Sequence, residues 1–173
     1  MFSLRNLVFL AVAVSGSVIP RDVGQVKKDL ETINADTQAV TKAVNSFTSV
    51  VQGSEPMLAA ENTLTHDIES ATADTKAVGK VSESDADDII NYVHGHFQPS
   101  IDAALSALKS KKDKFKADGI ARIVKMQLEK LKGVAGQLSE ALVENAPASR
   151  VEPAKAIKAH IDAGLDDAIK DFS

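Results

Sequence analysis

The sequence lacks cysteine and tryptophan and is poor in aromatic residues of every kind. Its 173 residues include no Cys, no Trp and a single Tyr, and aromatic residues make up only 4%. Without cysteine no disulfide can staple the fold, so the packing of regular elements must hold it together. The core must therefore be built from aliphatic side chains and alanine.

Patterns that carry catalysis or metal binding are also missing. No HExxH, GxSxG or P-loop pattern occurs, and no thiol is present to act as a nucleophile. His94 and His96 are the only close histidine pair, but residues two apart on a helix point to different faces. The acidic cluster from Glu83 to Asp88 lacks the glycine that a calcium loop requires, and it suits the first turn of a helix. We predict a non-enzymatic protein without a metal site or a cofactor.

A long uninterrupted apolar run occurs only near the N-terminus. Arg5 precedes the apolar residues 7–14, and small residues follow up to Ser17, which is typical of a secretory signal peptide and too short to span a bilayer. The alternative is a buried N-terminal helix, but no polar face interrupts the run. We expect a signal peptide at 1–17, a short segment at 18–21 and one domain at 22–173. The predicted product is secreted and extracellular, with no transmembrane segment.

The charge of the chain bears on its partners. The formal net charge is −4, which argues against nucleic acid as a partner. The basic run from Lys109 to Lys116 stands out against this acidic balance. It is interpreted first as a complement to the dipole at a helix C-terminus. The alternative is a basic rim that attracts acidic headgroups or carboxylates.

A helical stripe near the start of the mature chain organises the sequence. From Val23 to Val51 its members recur every third or fourth residue, which is the period of one face of an α-helix. Asp22 and Gln25 form a capping box at its start, and Gly53 is the expected end. The stripe consists of Val23, Val26, Leu30, Ile33, Thr37, Val40, Val44, Phe47 and Val51.

Four more stripes of helical period follow, and no stretch alternates with the period of a strand. Their expected bounds are Ser54 to Gly79 with Pro56 in the first turn, Ser82 or Ser84 to Phe115, Ile120 to Asn145, and Val151 to Phe172. Pro99 lies inside the third stripe, and its ring clashes with the carbonyl of Gly95, so we expect a kink or break near residues 95–99. The sequence therefore predicts an all-α fold, a five-helix antiparallel bundle of amphipathic helices.

The chain from about residue 20 to residue 173 resembles the fungal hydrophobic-surface-binding protein A family, which includes the ligand-binding domains of secreted cell-wall galactomannoproteins. The segments that carry the resemblance are 99–108 with the following lysines and Phe115, 119–132, 138–142 with Pro147, and 168–172. The resemblance implies a secreted helical bundle that adsorbs to hydrophobic surfaces. Some members hold fatty acids in an apolar tunnel between helices, and one family role is to recruit a polyester-degrading hydrolase to its solid substrate.

The end of the sequence differs from that of the larger cell-wall members. It stops at Ser173 without a Ser/Thr-rich stalk or a hydrophobic tail for a lipid anchor. We therefore expect a released protein, or one associated with the cell wall without a lipid anchor.

Two interpretations of the apolar stripes stay open. Apolar stripes at helical spacing are usually a filled core, but Val, Ala and Thr dominate three stripes, and a shortage of large side chains would leave room for an apolar ligand such as a fatty acid. The residues predicted to line such a tunnel are Leu30, Ile33, Thr37, Val40, Val44, Phe47, Leu64, Ile68, Thr75, Ile101, Leu105, Val124, Gln127, Leu131, Leu138, Ile157 and Ile161.

A bound fatty acid also needs a polar partner for its carboxylate. The polar residues nearest the apolar faces are Thr37, Thr75, Tyr92 and Gln127, although the two threonines can instead bond back to their own helices. The predicted function is binding of hydrophobic surfaces, of fatty acids in an inter-helix tunnel, or of both. The alternative is an adaptor that adsorbs to hydrophobic solids and recruits a secreted hydrolase, with no internal ligand.

Overall fold

The structure of the protein is a computed structural model that describes residues 22–173; the predicted signal peptide and the segment 18–21 lie outside this part. The α-helices are α1 (Val23–Asn45), α2 (Val50–Val78), α3 (Glu83–Tyr92), α4 (Gln98–Ser110), α5 (Lys112–Ala117), α6 (Ala121–Asn145) and α7 (Val151–Asp171). No strand occurs in the described part, so the all-α prediction is confirmed. The prediction of five helices is wrong, because the third stripe contains a helical stretch, in which a π-helical turn joins α3 to α4, and then the short separate helix α5.

Several predicted helix boundaries are confirmed. The Asp22 side chain accepts a hydrogen bond from the Gln25 N–H at 3.0 Å, and the Ser82 hydroxyl oxygen accepts one from the Asp85 N–H at 3.1 Å. Gly79, with φ of 72°, follows α2 at the expected position, since glycine adopts the left-handed region without steric cost.

The boundary between the first two helices is not where the spacing predicted it. The helix α1 ends at Asn45, and α2 already begins at Val50, so Gly53 lies inside a helix. Phe47 leaves the helix and turns its ring into the core, where it packs edge-on against Phe115 at a centroid distance of 4.9 Å. A Cβ atom on Gly53 would lie 2.4 Å from the Phe47 ring, so this glycine permits a close approach. Val51 is 93% exposed and does not belong to the stripe.

The irregularity expected near Pro99 takes the form of a π-helical turn. Residues Val93–Phe97 form this turn, and the Gln98 N–H donates to the Val93 carbonyl five residues earlier. Pro99 follows at the first turn of α4, where its missing N–H costs least. The wider turn lets the chain pass the proline as a helix, without a break.

The long helices close into a ring. The helix α1 packs against α2 and α4, α6 packs against α2 and α7, and α4 packs against α7. Consecutive helices such as α1 and α2 run in opposite directions, but α4 and α7 run parallel, as the pairs Asp102–His160 and Lys112–Asp171 show. The prediction of an antiparallel bundle is therefore wrong for α4 and α7, since a ring of five members cannot alternate in direction throughout.

The core has two parts along the helix axes. The first core cluster joins the start of α1 to the end of α2 and to α3, with Leu30, Ile68 and Ile89 among its members. The second core cluster joins the end of α1 to α4, α5, α6 and α7, and it contains Phe47 and Phe115. No helix of the described part is long and apolar enough to cross a membrane.

Candidate ligand-binding cavities

Each core cluster contains an apolar cavity. The first cavity has a volume of about 90 Å³ and lies among the start of α1, the end of α2, α3, and the facing halves of α6 and α7. The second cavity has a volume of about 110 Å³ and lies among the end of α1 and the first halves of α2 and α6. Since ligand pockets measure roughly 300–1,000 Å³, neither cavity alone holds a long ligand in this conformation.

Four aliphatic side chains connect the two core clusters. Val40, Ile101, Leu131 and Ile157 are partly buried, and each packs against both core clusters. Ile101 and Ile157 line the first cavity, whereas Val40 and Leu131 line the second. We term these four residues the partition.

Most residues predicted to line a tunnel border one of the two cavities. Those at the first cavity are Leu30, Ile68, Thr75, Ile101, Leu138, Ile157 and Ile161. Those at the second are Val40, Val44, Leu64, Val124, Gln127 and Leu131. Ile33, Thr37, Phe47 and Leu105 are buried but border neither cavity. Ligand contact by any of these residues remains a prediction.

The sequence reasoning missed two groups of lining residues. The first cavity is also lined by residues of α3 and the π-helical turn, namely Ala86, Ile89, Ile90, Val93 and Phe97. The second is also lined by residues of the first half of α2, namely Ser54, Met57, Leu58 and Glu61. All but Ser54 and Glu61 are apolar residues on predicted helices, so the helical period was the available signal. Nothing local in the sequence indicates a buried glutamate.

The first cavity contains a buried hydroxyl without a hydrogen-bond partner. Thr75 is 1% exposed, lines the cavity, and its Oγ1 atom has no partner in the structure. By contrast, the Thr37 hydroxyl donates back to the Ile33 carbonyl at 2.8 Å, which satisfies it within its own helix. The Asn145 side-chain amide donates to the Thr75 carbonyl and fixes this part of α2 against α6. An unpaired buried hydroxyl is costly, so a ligand oxygen at this point would be favoured.

A positive charge borders the same cavity. The Lys158 side chain lines it, and its ammonium group lies 2.6 Å from the Asp162 carboxylate one helical turn further along α7. The remaining polar residues of the lining are Ser139 and Asn145. The lining of the first cavity thus includes an unpaired hydroxyl and a lysine whose ammonium group pairs with Asp162, but no carboxylate.

The second cavity contains a buried carboxylate. Glu61 is 9% exposed and lines the cavity. Its Oε1 atom accepts a hydrogen bond from the Thr65 hydroxyl at 2.9 Å and lies 3.6 Å from the Lys130 ammonium group. Its Oε2 atom is buried without a partner, as is the Ser54 hydroxyl oxygen in the same lining.

Of the other predicted polar candidates, Gln127 lines the second cavity, whereas Tyr92 and the basic run lie elsewhere. Tyr92 borders neither cavity and stacks against His96 on the surface, at a centroid distance of 5.3 Å. In the basic run, Lys109 and Lys112 pair with Asp171, and these lysines hold the pKa of that carboxyl below its usual value. Lys111 donates to the Phe47 carbonyl at 3.2 Å. These contacts give the lysines a structural role at the ends of α4 and α7.

No group of three or more His, Asp or Glu side chains among residues 22–173 could hold a metal ion. The acidic cluster at the start of α3 is engaged in ion pairs. Asp85 and Asp88 both contact the Lys27 ammonium group, at 3.2 and 2.7 Å, and Asp87 pairs with the Arg150 guanidinium.

The family described as hydrophobic surface binding protein A matches residues 23–144 of this chain. The chain therefore belongs to that family. Its fold is similar to the crystal structure of AFMP4P in complex with palmitic acid, with 32% sequence identity and a TM-score of 0.84. That similarity covers 88% of this chain and 100% of AFMP4P.

Two domains of the MP1 protein of Penicillium marneffei share the fold. Ligand binding domain 1, complexed with arachidonic acids, is 20% identical with a TM-score of 0.81 over 87% of this chain and 99% of that domain. Ligand binding domain 2, complexed with multiple arachidonic acids, is 19% identical with a TM-score of 0.82 over 90% and 98%. No curated protein matches this chain.

Proposed function

We propose that this protein binds a long-chain fatty acid between its helices, with the carboxylate in the first cavity. The observation that carries the proposal is the Thr75 hydroxyl, which is buried at an apolar cavity without a hydrogen-bond partner. The palmitic acid in the related AFMP4P structure supports this ligand class.

The chemistry of the first cavity suits a carboxylate head. The Thr75 hydroxyl can donate a hydrogen bond to a carboxylate oxygen, and hydrogen bonds to charged groups are stronger than neutral ones. Lys158 also lines this cavity, and its ammonium group, which pairs with Asp162, has further hydrogens to share with a ligand carboxylate.

The acyl chain would extend from the first cavity into the second. For this the partition residues must turn aside, which is feasible because aliphatic side chains exchange between staggered rotamers. Burial of a dozen methylene groups contributes a gross stabilisation of roughly 10 kcal/mol at ~0.8 kcal/mol per CH₂. Association and ordering cost about 4–15 kcal/mol, so the net affinity depends on how little the core must rearrange.

The experiment is a calorimetric titration of the delipidated protein with palmitate, repeated on Thr75→Val. The parent should bind one ligand saturably, and the variant should bind about tenfold more weakly because it loses a hydrogen bond to a charged group. Its stability should not fall, since the hydroxyl it removes has no partner. The absence of palmitate binding by the parent would overturn the proposal.

A matched control lies one turn earlier on the same helix. Thr72 is also buried, but its hydroxyl donates to the Ile68 carbonyl at 2.7 Å, and it borders neither cavity. Thr72→Val should leave palmitate affinity unchanged. An equal loss in both variants would remove the special role assigned to Thr75.

A second candidate function is adsorption to hydrophobic solids, with or without recruitment of a secreted hydrolase. The observation in its favour is an exposed apolar rim at the second cavity. Leu58 and Ile123 line the cavity and are exposed, and Met126, one turn from Ile123 on α6, is 59% exposed. Contiguous exposed apolar side chains are typical of interaction surfaces, so these three residues favour this function.

The rim can be tested with a double substitution, Ile123→Ser with Met126→Ser. The parent should adsorb to polyester or phenyl surfaces even at high salt, because burial of apolar surface is not screened by ions. The double variant should adsorb several-fold less, whereas Arg122→Ser on an exposed position of the same helix should not change adsorption. Elution of the parent by salt alone would exclude this function.

We further propose that the protein is secreted, on the strength of the N-terminal pattern at residues 1–17. Expression of the full chain should release into the medium a product that starts after Ser15 or Ser17. N-terminal sequencing would check this, and retention of an intact Met1 in a cell-bound product would contradict it.

A further inference from the structure

The second cavity carries a feature that a simple fatty acid does not use. Glu61 places a carboxylate in an apolar lining, and its Oε2 atom is buried without a hydrogen-bond partner. The Oε1 atom already accepts a hydrogen bond from the Thr65 hydroxyl and pairs with the Lys130 ammonium group. The methyl end of a palmitate chain beside Oε2 would leave that oxygen unsatisfied, which is unfavourable for a buried polar atom.

From this we propose that the protein prefers long-chain acids that carry a hydroxyl group at the end remote from the carboxylate. The inference rests on the proposed function, because it assumes that the carboxylate lies at Thr75. A terminal hydroxyl would donate its hydrogen to Oε2 of Glu61.

The two polar groups are separated by a suitable length. Glu61 and Thr75 lie on the same buried face of α2, fourteen residues apart. At 1.5 Å per residue this corresponds to about 21 Å along the helix. An extended acyl chain advances roughly 1.25 Å per carbon atom, so sixteen carbons span roughly 20 Å. A C16 acid with a terminal hydroxyl therefore has about the length that separates the two residues along α2.

The acceptor character of Glu61 also fixes the direction of binding. A ligand carboxylate in the second cavity has no proton to donate to the Oε2 atom of Glu61, whereas in the first cavity it can accept a hydrogen bond from the Thr75 hydroxyl. Two acceptors do not hydrogen-bond to each other, so the reversed orientation leaves the buried Oε2 atom unsatisfied and is disfavoured. The hydroxyl end is consequently the end that reaches Glu61.

The test is a calorimetric comparison of three ligands on the delipidated full-length secreted protein. These are hexadecanoic acid, 16-hydroxyhexadecanoic acid and 2-hydroxyhexadecanoic acid, the last of which carries the same hydroxyl at the wrong end. We expect the 16-hydroxy acid to bind about tenfold more tightly than the other two, the effect of one hydrogen bond to a charged acceptor. Equal affinity of all three ligands overturns this inference and leaves the proposed function intact, whereas no binding of any ligand overturns both.

Variants of Glu61 assign the preference to this residue. Glu61→Met removes the acceptor and should abolish the preference for the 16-hydroxy acid, while Glu61→Gln keeps an acceptor oxygen and should retain part of it. A preference that survives in Glu61→Met contradicts the assignment. Should that variant fail to fold, the ligand series on the parent and on Glu61→Gln still decides the question. Tighter binding of 16-aminohexadecanoic acid than of the hydroxy acid would make the cavity a cation site and overturn the inference.

Discussion

The two cavities are alike in their walls and different in their polar groups. Both are lined by aliphatic side chains from several helices, but the first contains the Thr75 hydroxyl and the Lys158 ammonium, and the second contains the Glu61 carboxylate. Apolar walls provide affinity without direction, because the hydrophobic effect is non-directional. Under the proposed function, the difference between the ends would orient a long ligand through one polar group at each end.

The packing around the cavities differs as well. The second core cluster has an aromatic group in which the Phe115 ring contacts Phe47 and lies 6.2 Å from Phe172. At the first cavity, the Phe97 ring borders open space. The second core cluster is therefore anchored by an aromatic group away from its cavity, whereas the Phe97 ring of the first core cluster lies at the cavity itself.

The largest effect is expected from breaking that aromatic group. Phe115→Ala should lower the free energy of unfolding by about 3–5 kcal/mol, because a large, fully buried ring leaves a cavity that its neighbours cannot fill. Phe97→Ala is the matched change at the first cavity, and it should cost at least about 1 kcal/mol less because that ring already borders a void. Urea unfolding of both variants measures this. Equal losses would mean that the two ends are packed alike.

A smaller difference in stability is expected between two tryptophan substitutions on α1, one in the filled core and one in the lining of a cavity. Ile33 is 0% exposed and borders neither cavity, so Ile33→Trp should overpack the core and cost about 1–3 kcal/mol. Val40 lines the second cavity, so Val40→Trp should cost less than about 1 kcal/mol although it adds the larger volume. Each variant carries the only tryptophan of the chain, which reports unfolding by fluorescence.

The same pair tests the path of the ligand. The indole of Val40→Trp would occupy the space of the acyl chain, so palmitate affinity should fall sharply. If Val40→Trp is destabilised by more than about 1 kcal/mol and the parent binds no fatty acid, the core is filled and the proposed fatty-acid binding is wrong.

The helical period of the sequence predicted the helices and their buried faces better than it predicted the contacts and cavities between the helices. Buried residues of α1 such as Val26, Leu30 and Val44 were all in the stripe, because one face of an amphipathic helix is set by local spacing. The predicted helix end at Gly53 was wrong, because this glycine lies inside α2 and leaves room for the ring of Phe47, six residues earlier, to pack against it. A close approach between two parts of the chain leaves no periodic signal.

The polar groups of the site illustrate the same limit. Thr37 and Thr75 occupy equivalent positions in their stripes, yet one hydroxyl bonds to its own helix and the other has no partner. Glu61 was not predicted as a site residue, because glutamate is almost always exposed and its neighbours on the stripe are apolar. The packing of the neighbouring helices decides which hydroxyl or carboxylate lines a cavity. The spacing of residues along the sequence does not contain that information.

The smallest effect on stability is expected from Asp36, which lies outside the cavities, where α1 packs against α2. Asp36 lies between Ile33 and Val40 and is close to Asp67, whose carboxylate is 2.9 Å from the His66 ring. Burial and the neighbouring Asp67 raise the pKa of Asp36 to about 6. The charged form of Asp36 is therefore disfavoured in the folded protein.

The sign of the pH effect follows from this pKa. Between about pH 4 and pH 6 the folded protein binds more protons at Asp36 than the unfolded chain does, so the contribution of this group to stability falls as the pH rises through that window. Asp36→Asn removes the charge and should raise the free energy of unfolding by about 1 kcal/mol at pH 8, after allowance for solvent screening. At pH 4 the parent is already protonated at Asp36, so the gain should vanish.

Thermal unfolding of both proteins at the two pH values measures this gain, and His66→Gln controls for the histidine that titrates nearby. A gain of equal size at both pH values would show that packing of the amide, and not the charge of Asp36, is responsible. Since neither Asp36 nor Asp67 borders a cavity, palmitate affinity at pH 8 should be unchanged, which separates the stability of the ring of helices from the chemistry at its two ends.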